Sequence, residues 1–225
     1  MGIAERKERE KEERRTEILR AAEKVFFEKG LAQATMDEIA ERAELSKATL
    51  YLYYGSKEDL YLGVECRGKQ ILNEMFEKAA STGQGAVERL QNIGKAYFEF
   101  YRRHRDHFRM FAFSENNQLH SQVSEEMLGE CSSSGQKVGQ VMAGVIKDGI
   151  NEGVFRSELD PFEMTIILWR TSKGIIDWLE YSGESCRKAS DFPELNLQKM
   201  LTKANAMVVY AMLTDEARKN FKLEL

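Results

Sequence analysis

The sequence predicts an all-α protein of about nine helices, and three observations lead to this prediction. Only 2 of the 225 residues are proline, so little interrupts a helix. Helix-start signals of the type Ser/Thr-x-x-Asp/Glu crowd into residues 35–60. Apolar residues recur at helical spacing, beginning with a stripe formed by Ile18, Leu19, Ala22, Val25 and Phe26. We therefore expect an N-terminal domain of three helices over residues 1–60 and a C-terminal helical bundle over residues 61–225.

Composition narrows the class of protein. A charged fraction of 31% and a hydrophobic fraction of 42% are typical of a folded chain. No apolar run approaches the ~20 residues that a membrane-spanning helix needs. Glu, Lys and Arg fill the N-terminus, where a signal peptide would have an apolar core. We therefore expect a cytoplasmic protein with no membrane partner. The net charge of −4 does not exclude a DNA partner, because phosphate binding depends on the local charge pattern.

Three helix starts follow one another at short range. Thr35 and Glu38 can form a capping box, in which each side chain accepts a hydrogen bond from the other residue's backbone N–H. Ser46 can cap a second short helix, and Ser56 with Asp59 repeats the pattern for a third. Two short helices joined by a tight turn are typical of the helix-turn-helix motif, which places its second helix in the DNA major groove.

The second of these helices lies in a segment without acidic residues. Between Leu45 and Lys57 the chain carries two lysines and several hydroxyl side chains, but no Asp or Glu. Cations and hydroxyls are the groups that contact phosphate oxygens and base edges. The alternative is a helical hairpin whose polar residues are only solvated.

The same segment resembles the N-terminal signature of the TetR family of bacterial transcriptional regulators. The residues that fit the signature mix core and surface positions without a gap: Thr35, Ile39, Ala40, Ala43, Ser46, Thr49, Leu50, Tyr51, Tyr53, Ser56, Lys57, Glu58 and Leu60. The remainder of the chain agrees with the family in size, helical character and one loop. The resemblance implies a helix-turn-helix DNA-binding domain followed by a domain for ligand binding and dimerisation.

Two departures from that signature bear on the structure. Glu44 replaces the usual turn glycine, so we expect the turn to be strained or slightly altered. Tyr54 stands where phenylalanine is common. We expect its ring to pack inward against the first helix, with the hydroxyl at the rim.

The expected DNA-binding residues divide by role. Thr35 and Lys57 would hold phosphates at helix starts, and Tyr51 and Tyr53 would contact the DNA backbone. Base edges would meet the leading end of the second short helix, which comprises Ser46, Lys47, Ala48 and Thr49. The charged residues 1–15 form either a solvated extension of the first helix or an arm that touches DNA, and the sequence leaves both open.

Longer helices follow the N-terminal domain. Apolar spacing and breaker residues predict them over residues 57–80, 86–103, 106–113, 121–151, 161–181 and 193–211. Gly30 should end the first helix. Before the eighth helix, Gly153 should stop its predecessor, Asp160 should cap it and Pro161 should occupy its first turn.

The last two helices carry more apolar surface than a single core requires. In the resembled family these helices form a four-helix bundle across a two-fold axis, and a two-fold dimer can read both halves of a palindrome. The alternative is that both helices are only core. The residues expected at a homodimer interface are Phe162, Ile166, Ile175, Trp178, Leu197, Leu201 and Val208.

The resemblance also implies a small-molecule inducer held among the middle helices. Aromatic side chains at helical spacing are often core residues, but several of them could line such a site. The residues of the candidate lining are Tyr97, Phe100, Tyr101, Phe111, Phe113, Met142, Ile146, Trp169 and Arg170. This mixture favours an apolar or aromatic ligand. Arg170, if it points inward, would favour an anionic group.

We predict no cofactor, metal or catalytic site. His104 and His107 are close in sequence, but they lie in a charged turn that we expect to be exposed, and zinc needs more ligands. Cys66, Cys131 and Cys186 are widely spaced, which favours reduced thiols, with a redox-sensing cysteine as the alternative. The chain has no nucleophile elbow, Walker loop or dinucleotide-binding glycine motif.

These features predict a ligand-responsive transcriptional repressor that binds a palindromic double-stranded operator and is released by an inducer. Two alternatives stay open. One is an activator or DNA-organising protein with the same N-terminal domain and no ligand. The other is an enzyme with an incidental helix-turn-helix.

Overall fold

A computed structural model describes residues 2–116, 119–181 and 196–222. Their architecture confirms the predicted all-α class. The helices are α1 (Ile3–Gln33), α2 (Met36–Arg42), α3 (Lys47–Tyr51), α4 (Lys57–Ala80), α5 (Ala86–Arg103), α6 (Arg105–Asn116), α7 (Glu125–Asn151), α8 (Pro161–Tyr181), α9 (Leu197–Met212) and α10 (Asp215–Arg218). A 3₁₀ turn at Leu119–Gln122 precedes α7. The predicted start of the last long helix at residue 193 lies outside the described residues, as does Cys186.

The chain divides into two compact units. Unit 1 comprises Met1–Ile71 and His104–Gly135, and unit 2 comprises Leu72–Arg103 and Gln136–Leu225. The boundary between them falls inside α4 and inside α7, so each of these helices contributes residues to both units. None of the described helices has the length and apolar character needed to traverse a bilayer.

Helix α1 supplies the central apolar stripe of unit 1. It buries four of the five predicted residues, Ile18, Ala22, Val25 and Phe26. Leu19 is partly buried against the same core. Phe26 also makes an edge-to-face contact with Tyr61 of α4, with 5.1 Å between ring centroids. Gly30 interrupts the helix with φ of 70°, which confirms it as the residue that ends the regular part of α1.

The predicted caps begin α2 and α3. The Thr35 hydroxyl accepts a hydrogen bond from the Glu38 N–H at 3.2 Å, and the Glu38 carboxylate accepts one from the Thr35 N–H at 3.3 Å. The Ser46 hydroxyl accepts from the Thr49 N–H at 3.1 Å. These bonds satisfy backbone donors that such short helices would otherwise leave without a partner.

Ser56 also caps α4 as predicted, but Asp59 has a different partner from the one its spacing suggests. The Ser56 hydroxyl accepts from the Asp59 N–H at 3.0 Å. The buried Asp59 carboxylate accepts from the N–H of Ser124, just before α7, at 2.8 Å. The segment 56–59 therefore caps the start of α4 and also binds the backbone just before α7, both in unit 1.

His107 of α6 is buried in unit 1, which corrects the expectation of an exposed turn. Its ring packs edge-to-face on Phe27 with 5.0 Å between centroids, and its Nε2 lies 3.8 Å from the Glu23 carboxylate. Gly68 leaves room for the ring, because a Cβ there would come within 2.6 Å of it. Burial lowers the pKa of His107 to about 4, and nearby positive charges act in the same direction.

In unit 2, α9 packs against α5 and α8. The buried apolar residues come from the second half of α4, from α5, α7, α8 and α9, and from the segments beside them, and they include Phe76, Leu90, Ile93, Phe100, Val145, Ile146, Phe155, Leu168, Ile176, Val209 and Met212. The loop before α8 has the predicted features. Gly153 has φ of 70°, and Asp160 Oδ1 accepts hydrogen bonds from the N–H groups of Phe162 and Glu163.

The segments that follow α7 and α9 pair with each other, which the sequence did not predict. Phe155 and Leu213 form an isolated antiparallel bridge, and backbone hydrogen bonds of 3.0 Å flank it. This pairing holds the Phe155 ring against Gly149 of α7. Phe155 is consequently among the most deeply buried side chains of unit 2.

The substitution Gly149→Ala should destabilise the protein. Its added Cβ would lie 2.3 Å from the Phe155 ring and 2.7 Å from the Ala86 Cβ, and both neighbours are buried. We expect the free energy of unfolding to fall by about 1–3 kcal/mol, as measured by chemical denaturation. Gly139→Ala in the same helix is the matched control. Its Cβ meets nothing within 4 Å, so it should raise the free energy of unfolding by about 0.5–1 kcal/mol through helix propensity. Equal stability of the two variants would contradict the close packing at Gly149.

Candidate functional site

The turn between α2 and α3 positions one short helix against the other. Glu44 in this turn has φ of 55°, in the left-handed region. The expected strain is therefore present, at a cost of about 1 kcal/mol for a non-glycine residue. Behind the turn, Ile39, Ala40 and Leu50 are buried in the core of unit 1. The apolar sides of both helices are thus used internally, and their other sides face solvent.

The residues predicted to bind DNA lie on this solvent side or at its edge. Five are exposed: Thr35, Ser46, Lys47, Ala48 and Tyr51. Three are half-buried: Thr49, Tyr53 and Lys57. The structure therefore leaves a surface of accessible or partly accessible hydroxyls and two ammonium groups on α3 and at the two flanking helix starts.

Leu52 belongs to the same surface and was missed by sequence reasoning. It is 83% exposed beside Tyr51, which is 46% exposed. In sequence, Leu52 sits in an apolar run and therefore looks like a core residue. Its exposure could not be predicted without knowing that α3 ends at Tyr51, the residue before it. An apolar side chain in this position can contact a thymine methyl group.

Three cations of this region, Lys29, Arg42 and Lys47, are paired with acids in the isolated chain. Lys47 Nζ donates to Asp37 Oδ2 at 2.9 Å, and this hydrogen bond raises the pKa of Lys47. Arg42 pairs with Glu28, and Lys29 pairs with Glu38. A phosphate or base that binds Lys47 would therefore either displace Asp37 or share the ammonium with it.

Tyr54 packs inward as expected, but its hydroxyl is buried and does not lie at the rim. The guanidinium of Arg15 lies 5.4 Å from the centroid of the Tyr54 ring and also contacts Glu130 at 3.2 Å. Burial raises the pKa of Tyr54 to about 12. Arg15 is thereby engaged within unit 1, whereas Arg14 pairs with Glu17 on the surface of α1.

A second candidate site is a cavity of about 440 Å³ in unit 2. Its walls come mainly from α5, α8 and α9. Apolar and aromatic side chains dominate one part, including Phe76, Leu90, Phe98, Leu168, Leu201 and Val209. Polar side chains line another part, including Gln91, Lys95, Glu99, Ser172, Gln198 and Asn205. The Ser172 hydroxyl donates to Asn205 Oδ1 at 3.0 Å, so two of these polar groups already orient each other.

The predicted ligand residues do not all meet at this cavity. Those that line it are Tyr97, Met142 and Trp169. Arg170 is exposed, and its guanidinium lies over the Trp169 ring at 5.0 Å. Phe100 and Ile146 are fully buried elsewhere in the core of unit 2.

The other predicted ligand residues have separate surroundings. Tyr101 donates its hydroxyl to the Glu180 carboxylate at 2.8 Å. Phe111 and Phe113 belong to unit 1, where Phe113 packs against Tyr61. Sequence reasoning missed the contribution of α9 to the cavity, because α9 was interpreted as a dimerisation helix only.

The residues predicted at the dimer interface differ in exposure. Phe162, Ile166 and Trp178 are exposed. Ile175, Leu197 and Val208 are half-buried, whereas Leu201 is buried and lines the cavity. Further exposed apolar side chains on the same two helices are Ile167, Trp169, Met207 and Tyr210.

No cluster of three or more His, Cys, Asp or Glu residues in the described part of the chain could hold a metal ion. His104 and His107 have ring centroids 6.1 Å apart, but His107 faces the interior of unit 1. The side chain of His120 lies outside the described residues.

Two family models match the chain in order. Residues 18–64, which include α2, α3 and the exposed surface around them, match the model described as "Bacterial regulatory proteins, tetR family". Residues 83–189 match the model described as "Tetracyclin repressor-like, C-terminal domain".

Individual proteins agree with these models. FasR of Mycolicibacterium smegmatis, an HTH-type transcriptional activator, is 40% identical over 90 residues, which are 40% of this chain and 41% of FasR. The match therefore spans less than half of FasR. NicS of Pseudomonas putida, an HTH-type transcriptional repressor, is 27% identical over 146 residues, which are 64% of this chain and 67% of NicS.

The fold has solved counterparts. The structure of Bacillus subtilis FadR in complex with stearoyl-CoA matches with a TM-score of 0.67 and 17% identity, over 86% of this chain and 97% of FadR. Its likeness concerns the fold alone. Taken with the two matched models and the helix-turn-helix geometry, it shows that this chain belongs to the TetR family of bacterial transcriptional regulators.

Proposed function

We propose that this protein is a ligand-responsive repressor that binds a palindromic operator as a homodimer and is released by a small-molecule inducer. The observation that carries the proposal is the division of α2 and α3 into a buried apolar side and an exposed polar side. Ile39 and Leu50 are buried, while Lys47, Ala48 and Tyr51 face solvent. Similarity to the repressor NicS over 64% of this chain supports repression as the mode of regulation.

In this proposal residues 1–60 form the DNA-binding domain, and residues 61–225 form the ligand-binding and dimerisation domain. The helix α3 enters the major groove, and its leading end presents Ser46, Lys47, Ala48 and Thr49 to base edges. Thr35 and Lys57 bind phosphates at the starts of α2 and α4. Tyr51 and Tyr53 contact the DNA backbone.

In this proposal the Lys47 ammonium exchanges Asp37 for an acceptor on DNA, or shares its three N–H groups between the two. Its ion pair with Asp37 is solvent-exposed, so breaking it costs little. Loss of the Asp37 ion pair offsets part of the binding free energy that Lys47 contributes on any DNA sequence. Its contribution is therefore to discrimination between bases more than to total affinity.

Lys57→Ala and Lys47→Ala should have different effects on DNA binding. We expect selection from a random DNA pool to return a palindrome for the wild-type protein. Lys57→Ala should weaken binding to all sequences and reduce the slope of log affinity against log salt by about 0.9, the value for one lost phosphate contact. Lys47→Ala should relax base preference at a few positions, with a loss of about 1–3 kcal/mol on the preferred site.

Lys137→Ala, which removes an exposed lysine of α7 in unit 2, is the matched control and should leave affinity and preference unchanged. A Lys57→Ala protein with altered preference but an unchanged salt slope would refute the phosphate role. An unchanged selected sequence for Lys47→Ala would refute base readout at that residue.

The proposed dimer uses the exposed apolar surface of α8 and α9. This surface carries Phe162, Ile166, Ile167, Trp178, Met207 and Tyr210. Several exposed large apolar side chains on two helices that pack together indicate a protein contact surface. A two-fold arrangement would place the same patch on both sides and provide two copies of α3 for two half-sites.

Trp178→Asp should convert the dimer to monomers, because a carboxylate would lose its water on entering an apolar interface. Light scattering measures the mass directly. Leu52→Asp introduces the same charge at an exposed leucine outside α8 and α9, and it should leave the dimer intact. A dimeric Trp178→Asp protein would remove this residue from the interface.

The proposed inducer occupies the cavity of unit 2. Its volume lies within the range of about 300–1,000 Å³ that is common for small-molecule sites. Its apolar and aromatic walls fit an apolar or aromatic ligand. Ser172 and Asn205 offer hydrogen-bonding groups for one polar end. The structure of FadR in complex with stearoyl-CoA supports a ligand with a long apolar part.

A thermal-shift screen with fatty acids, acyl thioesters including stearoyl-CoA, and aromatic carboxylates tests the ligand proposal. A compound at about 100 times its Kd should stabilise the protein by about 2.7 kcal/mol. Ala206→Phe, which adds a ring at the cavity wall, should abolish this shift. Ala32→Phe, at an exposed position of unit 1, should retain it. A shift that survives Ala206→Phe would locate the ligand elsewhere.

An activator is the second candidate, and the similarity to FasR favours it. The DNA-binding face would be the same in both cases. In vitro transcription from a promoter beside the selected site distinguishes them, because a repressor lowers transcript yield and an activator raises it. If no compound shifts the melting temperature, an activator or DNA-organising protein without a ligand becomes the better account.

A further inference from the structure

A hydrogen-bonded pair of neutral side chains forms part of the wall of the unit 2 cavity. Ser172 of α8 is buried, Asn205 of α9 is half-buried, and both line the cavity. The Ser172 hydroxyl donates to Asn205 Oδ1 at 3.0 Å, which uses the one proton that the hydroxyl has. This bond turns the oxygen of the Asn205 amide toward Ser172, so the NH₂ end of the amide points away from α8.

The nitrogen of the Asn205 amide lies beside Gly94 of α5. A Cβ added at Gly94 would come within 3.0 Å of Asn205 Nδ2. Gly94 also lines the cavity, so the space that a side chain would fill stays open next to the nitrogen. Among the residues that the structure describes, none accepts a hydrogen bond from Nδ2. The pair of Ser172 and Asn205 therefore offers N–H donors to a ligand and has no acceptor for them within the described protein.

The charges of the cavity lining are few and are not buried. Among the described residues of the lining, Lys95 is the single cation, and it is exposed. Glu99 is the single acid of that lining, and it pairs with Arg102 and Arg103. A charged ligand group placed against Ser172 would lose its water, and the described lining has no buried group of opposite charge to replace that water. The surroundings of the pair therefore favour a neutral group.

We propose that the inducer carries a neutral carbonyl group, as in a ketone, an ester or a thioester, at the end that reaches Ser172 and Asn205. The carbonyl oxygen accepts a hydrogen bond from the Asn205 NH₂ group and needs no acceptor in return. The rest of the ligand packs against apolar walls that include Phe76, Leu201 and Val209. This inference rests on the proposed ligand function of the cavity and adds the chemical class of the ligand's polar end.

Other polar end groups satisfy this pair less well than a carbonyl. An alcohol brings a proton of its own, and the nearby acceptor Asn205 Oδ1 already accepts the hydrogen bond of Ser172. A carboxylic acid is ionised at neutral pH, so its burial costs the hydration of a full charge. A hydrocarbon end leaves the N–H donors of Asn205 without a partner once water is excluded. The carbonyl is the group that supplies an acceptor without bringing a charge or a further donor.

Equilibrium dialysis of the full-length protein against two sets of compounds tests the proposal, because the members of each set differ only at one end. The linear set is methyl decanoate, decanoic acid, decanol and decane. The bicyclic aromatic set is acetonaphthone, naphthoic acid, naphthyl ethanol and ethylnaphthalene. We expect the ester and the ketone to bind more tightly than the acid and the alcohol of the same set. The comparison between protein variants then separates the contribution of Asn205 from the differences in water solubility among the compounds.

Asn205→Leu removes the donors and should weaken binding of the ester and the ketone by about tenfold, while hydrocarbon binding stays within about twofold of wild type. Gln198→Leu makes the same chemical change at an exposed lining residue, so it is the matched control and should leave all affinities unchanged. Asn205→Asp is a second variant that keeps the shape and an acceptor for Ser172 but replaces the NH₂ group by an acceptor. It should weaken ester binding by about tenfold or more and shift the preference from ester toward alcohol.

Three results would overturn the carbonyl assignment and leave the proposed ligand function standing, provided that Ala206→Phe still abolishes binding. The first is an equal effect of Asn205→Leu, or of Asn205→Asp if only that variant folds, on ester and hydrocarbon. The second is tighter binding of the acid than of the ester by the wild-type protein. The third is a larger loss of ester affinity in Gln198→Leu than in the Asn205 variants. Failure of every compound in both sets to bind would overturn the assignment together with the ligand function on which it rests.

Discussion

Helices of 7 and 5 residues cannot maintain their own shape in water, so α2 and α3 depend on burial against α1. Ile39 and Leu50 are fully buried in a core that Ile18 of α1 also enters. Side-chain caps then satisfy the backbone donors that such short helices leave free. The orientation of α3 is therefore a property of the whole N-terminal core. Loss of packing along α1 would therefore change the orientation of α3 at the exposed surface, even where no exposed residue is substituted.

The sequence predicted local features well because local rules determine them. The bounds of α4 and α5 agree with prediction, since caps and glycine-rich breaks mark them. The capping box at Thr35 and the strained turn at Glu44 were also predictable from residue type and spacing. These features depend on residues within a few positions of each other, where steric and hydrogen-bonding preferences act directly.

Features that depend on distant residues were not predictable. Asp59 bonds Ser124, and Phe155 pairs with Leu213, across separations that no local pattern encodes. The participation of α9 in the cavity has the same origin, because Asn205 becomes a lining residue only through packing against α5 and α8. For the proposed DNA-binding face, the residue types could be predicted from the sequence. The exposure of Leu52 and the pairing of Lys47 with Asp37 required coordinates.

Burial of His107 makes part of the stability of unit 1 depend on pH. Its pKa is about 4 in the folded protein and 6.5 in the unfolded reference, so the unfolded chain binds more protons between these values. The neutral, buried imidazole therefore contributes fully above the unfolded pKa, and its contribution is lost as pH falls toward 4. The shift corresponds to about 3 kcal/mol. The charged residues beside His107 in the sequence did not indicate that its ring is buried. The ring is buried because it packs against Gly68 and Phe27, which are distant in sequence.

Helices α8 and α9 each have two faces with separate uses. The buried Leu168 lines the cavity, while Phe162 and Trp178 of the same helix are exposed to solvent. On α9, Ala206 lines the cavity and the adjacent Met207 is exposed. If a second copy covers the outer face, and a small molecule that fills the inner one binds monomer and dimer with different affinities, the two equilibria are thermodynamically linked. Half-saturation by the small molecule would then shift with dilution, so a titration near the monomer–dimer midpoint would differ from one in concentrated solution.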